Sequence, residues 1–278
     1  MKWKGRKQSS NIEDRRGGGP RIGLPIGGGF GVILLILYLL FGGGNLGSLP
    51  STDTGQAPAQ TQYQESRSEQ EVREFAAVVL QDLEDVWTDI FAQYGRTYEP
   101  PTLVLYTGQT QTACGIGDAR SGPFYCPGDR KIYLDLQFAN QLERQLGAPG
   151  DFAFAYVLAH ETGHHVQTLL GVTDKVMPLR NQMSEREFNQ YLQRFELQAD
   201  YFAGVFAHHI KEKGYLEEGD IEEAMNGAAA VGDDRLQERA QGYVVPDTFT
   251  HGTSRERVYW FTKGYEEGTI EGGDTFRE

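Results

Sequence analysis

The sequence predicts an α+β fold that is mainly helical, with a small sheet toward the N-terminal side. Two short segments, 102–106 and 131–136, have the apolar clustering or alternation of strands. From residue 138 onward, apolar residues recur mostly at intervals of three and four, which is the period of amphipathic helices. With 39% hydrophobic and 12% aromatic residues, the chain can bury a core.

The chain begins with a basic tail, residues 1–21, followed by an apolar stretch, residues 22–42. Residues 22–41 contain no charged side chain, and about 20 apolar residues suffice for a helix to cross a bilayer. Because the basic residues precede this stretch, the positive-inside rule indicates a cytoplasmic N-terminus. We therefore expect a single transmembrane helix in contact with lipid, with the rest of the chain in the periplasm or outside the cell. A cleaved signal peptide is the alternative, although no Ala-x-Ala site follows.

Charge is distributed unevenly along the chain. Residues 1–43 hold seven basic and two acidic side chains. The whole chain has 26 basic and 39 acidic residues, so residues 44–278 hold 19 and 37, a formal charge of −18. A nucleic-acid-binding domain needs a basic face, and we therefore expect no nucleic-acid partner. The sequence makes no prediction of oligomeric state.

A linker and one domain follow the apolar stretch. Residues 43–68 are small and polar, as in a flexible linker, and residues 69–278 are predicted to form a single domain. Its first helix extends to about residue 93 and is ended by Gly95 and two prolines. Further helices are predicted near 137–147, 150–170, 184–213, 220–230, 233–242 and 253–268.

Cys114 and Cys126 are the two cysteines of the chain and lie in a glycine-rich segment. In an oxidising compartment they can form a disulfide that closes a short loop. Two free thiols or a weak metal-binding pair are alternatives that the spacing alone does not separate.

The central motif is His-Glu-Thr-Gly-His at residues 160–164. A helix brings residues four apart onto one face, so His160 and His164 can bind one metal ion. Glu161 is adjacent to the first histidine and can act as general base toward a zinc-bound water. The alternative is a buried helix in which both histidines are hydrogen-bonded core residues.

A second apolar helix supplies the candidate third ligand. Glu196 and Asp200 lie four residues apart in it, and buried carboxylates need a partner. One Zn²⁺ ion bound by the two motif histidines and Glu196 would provide that partner. Asp200 would then accept the free N–H of one histidine. The alternative for Glu196 is a salt bridge to Arg194 or another base.

Two further features have candidate roles near such a site. His251 lies on a turn before the last helix and can stabilise the oxyanion of a tetrahedral intermediate, with Arg257 assisting. The strand at residues 132–136 can bind an extended substrate if it lies at the edge of the sheet. The alternatives are a surface histidine and an ordinary sheet strand.

These segments together resemble the bacterial family of putative neutral zinc metallopeptidases. The likeness rests on M-K-W-K-G-R-K-Q-S-S-N-I-E-D-R-R, C-G…G-P-F-Y-C-P-G-D-R-K-I-Y-L-D, H-E-T-G-H-H-V-Q, E-L-Q-A-D-Y-F-A-G and H-G-T-S-R-E-R. The resemblance implies a single-pass membrane protein with a zincin-like metallopeptidase domain and a gluzincin-type site. In that site His160, His164 and Glu196 match the zinc ligands and Glu161 the catalytic acid/base. Gly252 departs from the pattern of membrane-linked gluzincins, which have proline at this position.

We therefore expect a membrane-anchored, zinc-dependent endopeptidase that hydrolyses a peptide or protein substrate through a zinc-activated water. Glu161 and His251 are its expected catalytic residues. The alternative is a zinc-stabilised binding or scaffold protein of the cell envelope without proteolytic activity.

Overall fold

The structure, a computed structural model, describes residues 1–17 and 65–277. The predicted span at residues 22–42 and most of the predicted linker lie outside these residues. Within the described part of the chain, no helix is long and apolar enough to cross a membrane.

A four-stranded sheet forms one layer of the fold. Its strands lie in the order β1 (Ile12–Asp14), β2 (Thr102–Tyr106), β6 (Lys131–Asp135) and β5 (Phe124–Cys126). The first three are parallel, and β5 pairs antiparallel with β6. The two predicted strands are confirmed. The prediction that residues 132–136 form a sheet edge is wrong, because β6 lies between β2 and β5, and β5 forms that edge.

A hairpin and a disulfide adjoin β5. Strands β3 (Gln109–Thr112) and β4 (Gly115–Asp118) pair antiparallel as a second, two-stranded sheet. Cys114, between these strands, forms a disulfide with Cys126 at the end of β5. The bond therefore links the hairpin directly to the edge of the main sheet.

The helices of the described residues agree closely with the predicted ones. They are α1 (Arg67–Gln93), α2 (Phe138–Arg144), α3 (Asp151–Leu170), α4 (Val172–Val176), α5 (Glu185–Glu212), α6 (Asp220–Ala230), α7 (Asp233–Gln241) and α8 (Ser254–Glu267). Ser66, Ser184 and Thr253 begin α1, α5 and α8 with capping boxes, which satisfy N–H groups of the first turn. The mainly helical α+β prediction is thus confirmed for the described residues.

Helix α5 packs against both α3 and α8. Small residues make these contacts possible. A Cβ atom at Gly204 of α5 would overlap the carbonyl oxygen of Phe261 in α8. A Cβ atom at Gly163 of α3 would lie only 2.9 Å from the carbonyl oxygen of Ala199 in α5. Glycine at position 163 therefore allows the two helices that carry the candidate ligands to approach closely.

Residues 1–17 form part of the same fold. β1 extends the sheet beside β2, and Met1 and Ser9 are buried. The basic charge of this segment predicts a tail outside the domain, and a strand of three residues has no detectable periodicity that would indicate otherwise. The boundaries predicted at residues 21, 42 and 68 stay predictions.

Replacing Cys114 and Cys126 together by serine should lower the free energy of unfolding by about 3 kcal/mol, because the disulfide closes a short loop in the unfolded chain. Denaturant unfolding of the purified protein measures this loss. Reduction of the wild type should reproduce it and leave the double variant unchanged. An unchanged unfolding midpoint in the reduced wild type would contradict the prediction.

Candidate metal centre

Three candidate ligands converge between α3 and α5. One carboxylate oxygen of Glu196 lies 3.2 Å from His160 Nε2 and 3.3 Å from His164 Nε2. Tetrahedral zinc, with bonds of about 2.0–2.1 Å to these atom types, separates neighbouring ligand atoms by about 3.4 Å. The spacing and the donor types therefore fit one zinc ion. The structure brings together the three residues that the sequence predicts.

The charge balance of this cluster favours a bound cation. Burial alone would lower the pKa of His160, but the Asp200 and Glu196 carboxylates raise it to about 9. Burial would raise the pKa of Glu196, yet His164 and His251 hold it well below its usual range. Buried carboxylates in this position need positive charge beside them, which protons on the histidines or a metal ion can supply.

Asp200 orients the first histidine. Its Oδ1 atom accepts a hydrogen bond of 2.8 Å from His160 Nδ1 and a second one from the hydroxyl of Tyr156. With Nδ1 occupied in this way, His160 presents Nε2 to Glu196 and to a metal ion. Asp200 thus lies where the sequence analysis expected it, against the outer nitrogen of a candidate ligand.

Arg257 forms an ion pair with Asp200 and also lines the cleft. Its Nε atom donates to Asp200 Oδ2 at 2.8 Å, and its terminal nitrogen donates to Oδ1 at 3.0 Å. Both side chains are buried, so the guanidinium supplies the charge that keeps the Asp200 carboxylate ionised. Arg257 therefore supports a residue that positions a ligand.

Gln167 orients the second histidine. Its amide nitrogen donates to the carbonyl oxygen of Phe195 at 2.6 Å and to Gln198 Oε1 at 3.1 Å. Its own Oε1 atom therefore faces His164 Nδ1, at 2.8 Å, and can only accept. His164 then carries its proton on Nδ1, which leaves Nε2 free for a metal ion. Gln167 is not among the residues predicted from the sequence, although it lies three residues after His164 in the same helix.

Glu161 is the residue after the first ligand and lines the same cleft. Its side chain is buried, and this burial raises the pKa of its carboxyl group. A raised pKa suits a carboxylate that accepts a proton and then passes it on.

Asp233 holds His251 at the cleft. One oxygen of Asp233 accepts the backbone N–H groups of Thr250, His251 and Gly252 at 2.7, 2.7 and 3.2 Å. The other lies 3.2 Å from His251 Nδ1. Burial would lower the pKa of His251, but the Glu196 and Asp233 carboxylates raise it above its usual value. The sequence analysis missed Asp233, because only the return of the chain from α7 to α8 brings it near.

The backbone conformation at position 252 explains why this chain has glycine where membrane-linked gluzincins have proline. Its φ angle is +92°, a left-handed conformation that proline, with φ fixed near −65°, is unable to adopt. Its N–H group also donates to Asp233, and proline has no such group. The turn that carries His251 therefore requires glycine in this chain.

The cleft in front of these residues has a volume of about 390 Å³. His160, Glu161, His164, Glu196 and His251 all lie along it. Apolar side chains line much of the remainder, namely Phe124, Phe138, Leu146, Val157, Val231 and Leu236. Since Phe124 belongs to β5, which is the edge strand of the sheet among the described residues, an extended chain lying in the cleft would run beside this strand.

The remaining histidines have structural contacts. His165 is buried between the hydroxyl of Tyr125 and the carbonyl oxygen of Glu99, and burial lowers its pKa to about 4. His208 and His209 bond to the carbonyl oxygens of residues 265 and 268. These three histidines lie outside the cluster of candidate ligands.

A second group of carboxylates, Asp151, Asp220 and Glu223, lies within metal-binding distance of one another. The amino group of Met1 lies 2.6 Å from Asp151 and 3.2 Å from Asp220. The terminal ammonium group of Met1 therefore already supplies positive charge to these carboxylates. The three candidate ligands also include no histidine. The composition of this group does not fit a catalytic zinc site.

Residues 1–276 match the family described as Putative neutral zinc metallopeptidase. The chain belongs to this family. The match confirms the resemblance inferred from the motifs, and it includes both the N-terminal segment and the candidate metal centre. The family description implies zinc as the metal.

The chain has relatives that cover it to different extents. The Uncharacterized protein YpfJ of Escherichia coli K12 is 48% identical over 285 residues, which cover 99% of each chain. The Uncharacterized protein Rv2575 of Mycobacterium tuberculosis H37Rv is 42% identical over 202 residues, which cover 69% of this chain and 66% of the relative. No solved structure matches the chain.

Replacing Gln167 by leucine should weaken zinc binding by roughly ten- to hundredfold, because His164 loses the acceptor that fixes its proton and its ring orientation. Competition with a chromogenic chelator measures the dissociation constant. Gln81→Leu is the matched control, since Gln81 is also buried but bonds to Asp85 within α1. Equal zinc affinities for Gln167→Leu and the control would show that Gln167 does not orient the ligand.

Proposed function

We propose that this protein is a zinc-dependent endopeptidase that hydrolyses peptide or protein substrates. The observation that carries the proposal is the convergence of His160, His164 and Glu196 beside Glu161 at one cleft. Three protein ligands leave one position of a tetrahedral zinc open, which is typical of catalytic rather than structural zinc sites. Membership of a zinc metallopeptidase family supports the same reaction class.

The residues around the cleft have distinct tasks in this reaction. A zinc ion held by the three ligands would lower the pKa of a water molecule and polarise the scissile carbonyl group. Glu161 accepts the proton of the attacking water and delivers it to the leaving nitrogen. His251 donates from Nε2 to the oxyanion, while Asp233 holds its Nδ1 atom and its backbone turn.

The substrate binds in an extended conformation along β5. This edge strand lines the cleft through Phe124 and Tyr125, and its outer edge can form backbone hydrogen bonds with a peptide. The apolar side chains that line the rest of the cleft favour substrates with apolar side chains near the cleaved bond. Backbone pairing is independent of side chains, so the apolar pocket would supply the selectivity.

We further propose that the domain acts outside the cytoplasm, in the periplasm or at the cell exterior. The disulfide between Cys114 and Cys126 supports this location, because such bonds persist in oxidising compartments. Contact of residues 22–42 with lipid stays a prediction of the sequence.

Replacing Glu161 by glutamine should lower the rate of peptide cleavage by about 10²- to 10⁴-fold, because the amide is unable to accept the proton of the attacking water. Zinc content and thermal stability should stay close to those of the wild type. Glu143→Gln, at an exposed position of α2, is the matched control and should cleave normally.

The assay follows new termini in a library of unstructured peptides by mass spectrometry, before and after removal and return of zinc. Full activity of zinc-loaded Glu161→Gln would refute the mechanism. A zinc-loaded wild type that cleaves none of the library would favour the binding or scaffold protein instead.

Replacing His251 by phenylalanine should lower kcat by about 10²-fold with little change in KM, because the lost hydrogen bond forms mainly in the transition state. Asp233→Asn should reduce kcat in the wild type but have little further effect in the His251→Phe background. Steady-state kinetics of the two single variants and the double variant measure this coupling. Independent, multiplicative losses would contradict the assignment of Asp233 as the residue that positions His251.

A further inference from the structure

The N-terminal segment, residues 1–17, bears on membrane topology. Its strand β1 pairs with β2 from Ile12 opposite Leu103 to Asp14 opposite Leu105. The pairing continues at both ends: Leu103 N–H donates to the Asn11 carbonyl at 2.9 Å, and Arg15 N–H donates to the Leu105 carbonyl at 2.8 Å. The segment is therefore a strand of the main sheet.

The residues before β1 are held by buried contacts. The Trp3 ring packs edge-on against Phe75 of α1, with ring centroids 5.4 Å apart. The Arg6 guanidinium lies 3.4 Å from the centre of the Tyr215 ring and forms an ion pair with buried Asp82. These contacts bury apolar and charged groups of α1 that would otherwise face water.

The basic residues of the segment meet acidic residues of the domain. Besides Arg6, Lys4 lies 3.2 Å from Glu71. One ion pair has the charges reversed: the acidic Glu13 of the segment lies 2.7 Å from the basic Lys131 of β6. The basic composition that predicts a cytoplasmic tail therefore has a second explanation, namely charge complementarity with an acidic domain.

The described chain ends on either side of residues 18–64 lie close together. Arg16, just before it, forms an ion pair of 2.9 Å with Glu65, just after it. Glu65 also lies 3.1 Å from Arg73 of α1. A single helical crossing would instead place these ends on opposite sides of a hydrocarbon layer about 30 Å thick. The observed contacts and a single crossing are therefore incompatible.

We infer that residues 1–17 lie on the same side of the membrane as the catalytic domain and complete its sheet there. The sequence prediction of an N-terminus and a domain in different compartments is replaced by one in which both share a compartment. This inference does not depend on zinc binding or on catalysis.

The test compares two single cysteines in the full chain. Lys7, in the segment, and Glu238, on α7, are both exposed. Lys7→Cys and Glu238→Cys are expressed separately, and spheroplasts are treated with a membrane-impermeant maleimide before and after lysis. The wild type, whose two cysteines are paired, is the control for background labelling.

We expect both variants to react under the same condition, either both before lysis or both only after it. Reaction of one variant in intact spheroplasts and of the other only after lysis would overturn the inference. Loss of peptidase activity in either variant would leave this comparison unchanged, so the inference and the proposed function fail independently.

A second measurement examines the docking itself. A zero-length carbodiimide should join Glu13 to Lys131 in the membrane-associated full chain, and Lys131→Met should abolish the product. The pair Lys213 and Asp89, 3.9 Å apart within the domain, is the internal reference. Formation of the reference product without the Glu13–Lys131 product would overturn the inference. In a mixture of isotopically light and heavy chains, a Glu13–Lys131 product that joins a light to a heavy chain would show that the segment docks onto a second copy. The segment and the domain would then still lie on the same side of the membrane.

Discussion

The contact between Gly163 of α3 and Ala199 of α5 determines whether the metal centre can form. A side chain at position 163 would meet the Ala199 backbone at 2.9–3.0 Å and would push the helices apart. Glu196 lies one turn from this contact on α5, and His160 lies one turn from it on α3. Because zinc–ligand bonds are only about 2.0–2.2 Å long, even a small separation would leave Glu196 out of reach. The glycine of the motif is thus a packing requirement with a chemical consequence.

The two histidines are oriented by different means. His160 faces a carboxylate, Asp200, whose charge is balanced by buried Arg257, whereas His164 faces the neutral amide of Gln167. A carboxylate raises the basicity of a ligand more strongly than an amide, so the two nitrogens would donate to zinc unequally. This arrangement adds no uncompensated negative charge beside Glu196, in a site where burial makes each unpaired charge costly.

Local patterns explain how much of this structure could be predicted. The 3.6-residue period predicts each long helix to within a few residues, and i, i+4 spacing predicts the pairs His160–His164 and Glu196–Asp200. The strand β1, the edge position of β5 and the contacts of Asp233 and Arg257 depend on segments distant in sequence. A three-residue strand has too few residues for a period, and an isolated aspartate at a helix start resembles any N-terminal acid. The predicted cytoplasmic position of the N-terminus relied on the basic residues before the apolar stretch, and basic residues also serve docking within the fold.

Anomalous diffraction at the zinc edge, from crystals of the zinc-loaded full chain, tests the central claim most directly. We predict one strong anomalous peak at about 2.0–2.2 Å from His160 Nε2, His164 Nε2 and a carboxylate oxygen of Glu196. A zinc ion bound by the two histidines, with Glu196 turned away from it, would contradict this prediction. So would zinc at Asp151, Asp220 and Glu223 with none at the histidines.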